Sequence, residues 1–171
     1  MMDNPIFTTE RLVIRPLCPA DLPWFAALEA DPEVMRYTDR PPQTPEQSAF
    51  ALLELAGRRE LDGSLCLWAV MSAEGDGLGT AAVYRNDDGQ WEMGYKLHRH
   101  CWGRGFASEL ASALVTYLEH QLSGETLHAY AFADNGASCR ILEKCGFTLN
   151  REWYNADYQL LDRHYLRILP G

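Results

Sequence analysis

The sequence predicts an α/β (α+β) fold, a single mixed sheet carrying helices on both faces. Seven short segments alternate apolar and polar residues with period two or run apolar, and four longer ones place their apolar residues at helical spacing. Their order, β-α-α-β-β-β-α-β-α-β-β, interleaves hairpins with two β-α-β crossovers, which a mixed sheet accommodates. The 171 residues are 47% hydrophobic and 23% charged. That suits one domain over residues 1–171, large enough to bury about two-thirds of its unfolded surface without a metal or disulfide staple.

Strand 11–17 alternates, with Leu12, Ile14 and Leu17 apolar. Helix 20–30 sets Leu22, Phe25, Ala26 and Leu28 on one side, and Asp31-Pro32 ends it. The Pro-rich stretch 40–45 reads as a loop. Thr44, Pro45 and Gln47 then form a capping box with proline at the first helical position, opening helix 45–61. Strands 65–71 and 78–85 flank a hairpin loop at 73–77, and Asn86-Asp87-Asp88-Gly89 turns the chain into strand 90–97. Helix 104–122 carries the row Leu110, Leu114, Leu118 and Leu122, with Glu109, Ser112, Thr116 and Glu119 largely away from it. Strand 126–132 leads to helix 136–145, which Gly146 terminates, and strands 147–154 and 158–168 close the chain.

The formal charge of −9 disfavours nucleic acid and anionic membranes and favours cationic partners such as amines. No apolar run is long enough for a membrane-spanning helix. The opening MMDNPIFTTE has neither the basic start nor the apolar run of a leader. Five cysteines without a C-x-x-C pair indicate reduced thiols in a cytoplasm rather than a disulfide framework or zinc ribbon.

Chemistry concentrates in two segments. In 95–108, a strand runs into a turn bearing Gly103 and Gly105, and the turn opens the long helix. Free N–H groups at a helix start, with Lys96, Arg99 and Arg104 nearby and no acid between Met93 and Ser108, describe an anion site. The plainer alternative is a tight turn with surface arginines. In 134–147, Asn135, Ser138 and Leu142 share one helical face, and Arg140 and Lys144 share another. Alone, this segment reads more simply as an Asn N-cap followed by a first-turn serine.

Together the segments carry a resemblance. Trp102-Gly103-Arg104-Gly105-Phe106-Ala107 is similar to the R/Q-x-x-G-x-G/A loop of the GNAT superfamily of acetyl-CoA-dependent N-acetyltransferases, and 135–147 is similar to its N-x-x-S/A…K-x-G-F helix. With the opening Thr9-Glu10-Arg11-Leu12-Val13-Ile14-Arg15-Pro16-Leu17, the chain most resembles the subgroup that includes bacterial acetylases of ribosomal-protein N-termini. The resemblance covers roughly residues 8–169. It implies a mostly antiparallel seven-stranded sheet whose central parallel strands splay apart. It also implies pantetheine in that gap, bonded to backbone around Leu97 and Arg99, and a pyrophosphate on the amides of Gly103, Arg104, Gly105, Phe106 and Ala107, with Ser108 able to donate. Asn135 and Ser138 then hold the other side of the arm, and Arg104, Arg140 or Lys144 reach the 3′-phosphate.

Acetyl transfer needs a neutral amine, oxyanion stabilisation and a proton for the departing thiolate. A lysine amine, pKa about 10.4, costs roughly 4–5 kcal/mol to deprotonate at pH 7, and an α-amine near pKa 8 costs about 1–1.5 kcal/mol. Relatives in the subgroup often carry a base at the position of Glu92, which alternation turns away from Trp91, Met93, Tyr95 and Leu97; otherwise it is a solvent-facing strand residue. Ser138 is the candidate donor to the thiolate, and a backbone N–H near Leu97 the candidate for polarising the carbonyl. Two positions depart from the family pattern. Trp102 replaces the loop Arg/Gln, and Leu142 replaces the tyrosine that many GNAT enzymes use as general acid. The enzyme reading takes acetyl-CoA as co-substrate and a protein N-terminus or small amine as acceptor. Leu142 supports the rival, a non-catalytic acyl-CoA-binding protein; an interaction subunit that has lost the ligand is a further rival.

Other signals carry less. Gly77-Leu78-Gly79-Thr80-Ala81-Ala82 fits a dinucleotide motif but precedes a strand. His98-Arg99-His100-Cys101 lacks a second ligand pair, so no metal is expected. The acceptor surface is expected from 18–45 and 147–160, where Trp24, Phe25, Tyr37, Trp153, Tyr154 and Tyr158 line a pocket, a core or a homodimer contact.

Overall fold

The computed structural model describes residues 4–171. Residues 1–3, at the head of the segment without a leader pattern, lie outside the described residues. Strands β1 (Phe7–Thr8), β2 (Leu12–Pro16), β3 (Cys66–Ser72), β4 (Gly77–Arg85), β5 (Trp91–Leu97), β6 (Thr126–Phe132), β7 (Thr148–Asn155) and β8 (Leu160–Ile168) form one sheet, in the order β1-β2-β3-β4-β5-β6-β8-β7. Every pairing is antiparallel except β5 with β6. The mixed, mostly antiparallel sheet is as expected, but it has eight strands rather than seven. The additional strand is β1, whose Phe7 and Thr8 pair with Ile14 and Val13 at the edge. Two residues are too few for alternation to register.

The helices are α1 (Leu22–Ala30), α2 (Pro32–Met35), α3 (Pro45–Leu55), α4 (Phe106–Gln121) and α5 (Gly136–Lys144). The capping box at α3 is formed on both sides: Thr44 Oγ1 accepts from Gln47 N, and Gln47 Oε1 accepts from Thr44 N. The helix is shorter than the expected 45–61. Ala56 leaves it at ψ 141°, and Gly57 N donates instead to Leu17 O at 2.9 Å, tying the chain to the end of β2. Asp31-Pro32 ends α1 as expected and also starts α2, because Asp31 accepts from Glu33 N and Pro32 supplies a preset φ.

Both sheet faces are covered. On one, Leu110, Leu114 and Leu118 of α4, all fully buried, pack with Leu142 of α5 against Ile14, Trp68, Met93 and Leu127. Burying each leucine contributes about 1.5–3 kcal/mol. On the other, Phe25 of α1 and Leu52 of α3 pack against Leu67, Ala69 and Met71 of β3. The glycines of the apparent dinucleotide motif are structural. A Cβ at Gly79 would lie 2.1 Å from the Lys96 carbonyl oxygen, so β4 and β5 approach only without one. All five cysteines are unpaired thiols. Among the described residues, no helix is long and apolar enough to cross a membrane.

Candidate functional site

The parallel ladder between β5 and β6 is brief. Trp91 pairs with Leu127 and Glu92 with His128, and there the pairing stops although both strands continue. From Met93 and Ala129 onward the facing backbone edges part, which leaves peptide groups without sheet partners. A cavity of about 760 Å³ occupies the opening and reaches both sheet faces.

On the face covered by α4 and α5, the cavity meets the start of α4. Gly105 stands at the N-cap with φ 81° and ψ 1°, and no side chain caps the helix. The first-turn N–H groups of Phe106, Ala107 and Ser108 are therefore free for an anion. A clamp remote in sequence holds this turn. Arg11 donates to Glu109 on α4 at 2.8 Å and to the Arg104 carbonyl at 3.0 Å, and its guanidinium lies 4.2 Å from the Phe106 ring centre. Burial pushes the Glu109 carboxyl up, but hydrogen bonds from Thr9 and Arg11 outweigh it and hold the carboxyl below its ordinary value. Thr9, Arg11 and Glu109 were not singled out as site residues in the sequence. The Thr-x-Arg pair before β2 was the available signal.

Most of the site residues read from sequence converge here. Leu97, Gly103, Gly105, Phe106, Ala107, Ser108, Asn135, Ser138, Arg140 and Lys144 all line the cavity, as does Glu92. Arg99 and Arg104 do not. The positive island of 95–108 is smaller than its sequence suggests. Lys96 Nζ lies 2.6 Å from Glu29, and Arg99 Nε lies 2.7 Å from Asp31, both acids contributed by the α1 end of the chain. Arg104, Arg140 and Lys144 make no ion pair among the described residues and remain available to an anion. Asn135 does cap α5, accepting from Ser138 N at 3.3 Å, which leaves its side-chain N–H groups free. Trp102, the departure in the loop, donates from Nε1 to the Leu97 carbonyl at 2.9 Å, so the indole secures the strand end.

Two hydroxyls meet across the opening. Tyr95 on β5 and Ser138 on α5 place their oxygens 3.3 Å apart. Burial pushes the Tyr95 hydroxyl up to about 12, so it keeps its proton at neutral pH. Leu142 is buried beside them.

On the opposite face, Glu92 is partly buried rather than solvent-facing. Tyr84 Oη donates to its Oε1 at 2.7 Å and Asn86 Nδ2 to its Oε2 at 3.1 Å. Burial raises the Glu92 carboxyl above its ordinary value, against these two hydrogen bonds. Asp39 and Asp162 share this end of the cavity and make no ion pair among the described residues. The aromatic lining differs from the expected set. Of the six named from sequence, Tyr37 lines the cavity. Phe25 is in the core, and Tyr158 donates to the Asp39 carbonyl at 2.7 Å, fastening the 34–40 segment across the β7–β8 turn. Tyr84, Tyr130 and Phe132 add rings to the lining, as do Tyr95, Trp102 and Phe106.

An acyl group carried on a phosphate-bearing arm can thus enter from the α4 side and meet a nucleophile from the Glu92 side. Known proteins share the fold. A family profile described as "Acetyltransferase (GNAT) domain" matches residues 11–148. The chain is 28% identical over 167 residues to the uncharacterized N-acetyltransferase p20 of Bacillus licheniformis, covering 94% of each. Its fold is similar to that of RimL, a ribosomal L7/L12 alpha-N-protein acetyltransferase solved with coenzyme A, at TM-score 0.81, with 18% identity and 96% and 98% of the two chains covered. It is similar also to spermidine N-acetyltransferase from Vibrio cholerae, solved with CoA and spermine, at TM-score 0.79, with 18% identity and 94% and 97% covered. The chain belongs to the GNAT family of acetyltransferases.

Proposed function

We propose that residues 1–171 act as one N-acetyltransferase domain that moves an acetyl group from acetyl-CoA to a primary amine by direct attack in a ternary complex. The observation that carries this reading is convergence on one cavity: open strand edges, the uncapped start of α4 and the Glu92 carboxylate. The residues fit acetyl-CoA, which supplies an activated acyl carbon. The amides of 105–108 suit its pyrophosphate, the parted edges of β5 and β6 suit its amide-bearing arm, and Arg104, Arg140 and Lys144 suit its 3′-phosphate. Backbone near Leu97 and the Asn135 and Ser138 side chains complete the cradle. No metal is required for this chemistry.

Glu92 accepts the acceptor's proton, directly or through water. Burial raises its pKa, which brings it closer to an amine's own value. Asp39 and Asp162 favour a cationic acceptor entering from the same side. The fold likeness to RimL and the opening Thr9-x-Arg11 segment support the N-terminal acetylase subgroup, and a comparable likeness to a polyamine acetylase keeps small amines within the acceptor class. Unpaired thiols and the acidic charge fit a cytoplasmic setting. Incubation with acetyl-CoA and a mixed pool of N-terminal peptides, diamines and amino sugars, read by mass spectrometry, is expected to show one acetyl group gained by one class of amine. A pool left unmodified would overturn the reading.

Two further results are expected. Arg104→Glu weakens CoA more than dephospho-CoA if Arg104 meets the 3′-phosphate, and binding of both ligands by calorimetry checks it; equal losses assign the arginine to the pyrophosphate. Tyr84→Phe removes a hydrogen bond that favours ionised Glu92, so the acid limb of kcat/KM moves to higher pH while the rate above that limb changes less. A limb that stays in place would show that Glu92 is not the group titrating.

A further inference from the structure

The departing sulfur of a thioester needs a proton or a donor, and Leu142 offers neither. We propose that Tyr95 is the catalytic residue that donates its hydroxyl proton to the sulfur leaving group, with Ser138 positioning and reprotonating it. The inference rests on the acetyl-transfer reading above.

Three observations carry it. The first is place. The acyl arm reaches the cavity from the α4 side and the amine from the Glu92 side, so the reacting atoms lie between the two. Tyr95 stands between them on β5, three residues after Glu92 and two before Leu97, or roughly 10 Å and 7 Å along the strand. The second is direction. Tyr95 belongs to the alternate set facing α5, and its hydroxyl bridges from β5 to Ser138 Oγ at 3.3 Å, across the opening where β5 and β6 part. The third is chemistry. Around that hydroxyl α5 presents Ser138, Cys139, Leu142 and Cys145, with no carboxylate or cation among them. Burial keeps the phenol protonated, so it is present as a donor at every pH at which the amine is active.

In the step, the amine nitrogen bonds to the acyl carbon and the carbon–sulfur bond breaks, its electron pair going to sulfur. The amine gives one proton to Glu92. The sulfur gains one from Tyr95, and the phenolic oxygen recovers a proton from solvent through the Ser138 hydroxyl. The products are an amide and a free thiol, and Glu92 returns its proton to water.

Tyr95→Phe is the test. The expected kcat falls about 10²-fold, with the KM for acetyl-CoA within about twofold of wild type. Binding gives a readout independent of turnover. A donor aimed at sulfur favours the thiolate, so as pH rises from about 7 to about 9.5 wild-type protein gains a preference for CoA over desulfo-CoA, reaching about tenfold. Tyr95→Phe loses that preference and Ser138→Ala reduces it, each with a melting temperature near wild type. Equal losses of CoA and desulfo-CoA affinity in Tyr95→Phe, or a wild type that does not distinguish the two ligands at high pH, would overturn the proposal. So would an unchanged kcat. A Tyr95-dependent thiolate preference with no amine acetylated would instead retain the donor and overturn the acetyl-transfer reading, so the two failures are distinguishable.

Discussion

Gly105→Val is expected to abolish the rise in melting temperature that acetyl-CoA gives the wild-type protein. Gly105 holds φ +81°, a conformation costing a β-branched residue about 1–3 kcal/mol. Its Cβ would also lie 3.3 Å from an Arg11 guanidinium nitrogen, within the clamp that secures the turn. The turn relieves both by moving, and the amides at the start of α4 move with it. Ligand at one hundred times its dissociation constant stabilises by about 2.7 kcal/mol, and a hundredfold loss of affinity leaves only about 0.4 kcal/mol. For a chain of this size that takes the shift from about 5–10 °C to roughly 1 °C. The unliganded variant melts lower as well, so the ligand-induced shift is the quantity to read. A valine variant that binds acetyl-CoA with unchanged affinity would show that the turn does not receive the phosphates.

Glu92→Gln carries the second large effect. Its amide oxygen can still accept from Tyr84, but the side chain no longer takes a proton. General-base contributions run to about 10²–10⁴-fold, and kcat at pH 7 should fall within that range, with acetyl-CoA affinity nearly unchanged. The deficit shrinks as pH approaches the amine's own pKa, because free base then appears unaided. Stability moves the other way. Burial raises the folded-state pKa of Glu92, so wild type carries its contribution fully at low pH and loses it as pH rises through the folded value. The variant's stability relative to wild type therefore improves as pH climbs out of the carboxylate range. Wild-type rates across the amine's titration would make Glu92 a polar strand residue and favour an α-amine over lysine, by the several kcal/mol that separate their deprotonation costs.

Periodicity made the strands and the two crossovers legible, because alternation and the Leu110–Leu114–Leu118 row report directly which side is buried. It could not report β1, which is shorter than one period, or α2, a single turn begun by the proline that ends α1. The splay of β5 and β6 came from the family resemblance rather than from any pattern in 91–97 and 126–132, since an unpaired strand edge has the composition of a paired one. Long-range partners were the main loss. Lys96 and Arg99 looked like free cations until the fold brought Glu29 and Asp31 to them from 67 and 68 residues away. The Arg11–Glu109 clamp spans 98 residues. Tyr84, Tyr130 and Asp162 meet around the Glu92 end of the cavity from three different strands, a convergence that only tertiary structure creates.

The most direct measurement is thiol released from acetyl-CoA, with and without amine. The account predicts slow release alone, a large acceleration by one class of amine, acetylated product equal to thiol, and loss of the acceleration in Glu92→Gln. Protein stabilised by acetyl-CoA that releases thiol no faster with any amine than with none would contradict it, and would leave an acyl-CoA-binding protein that does no chemistry.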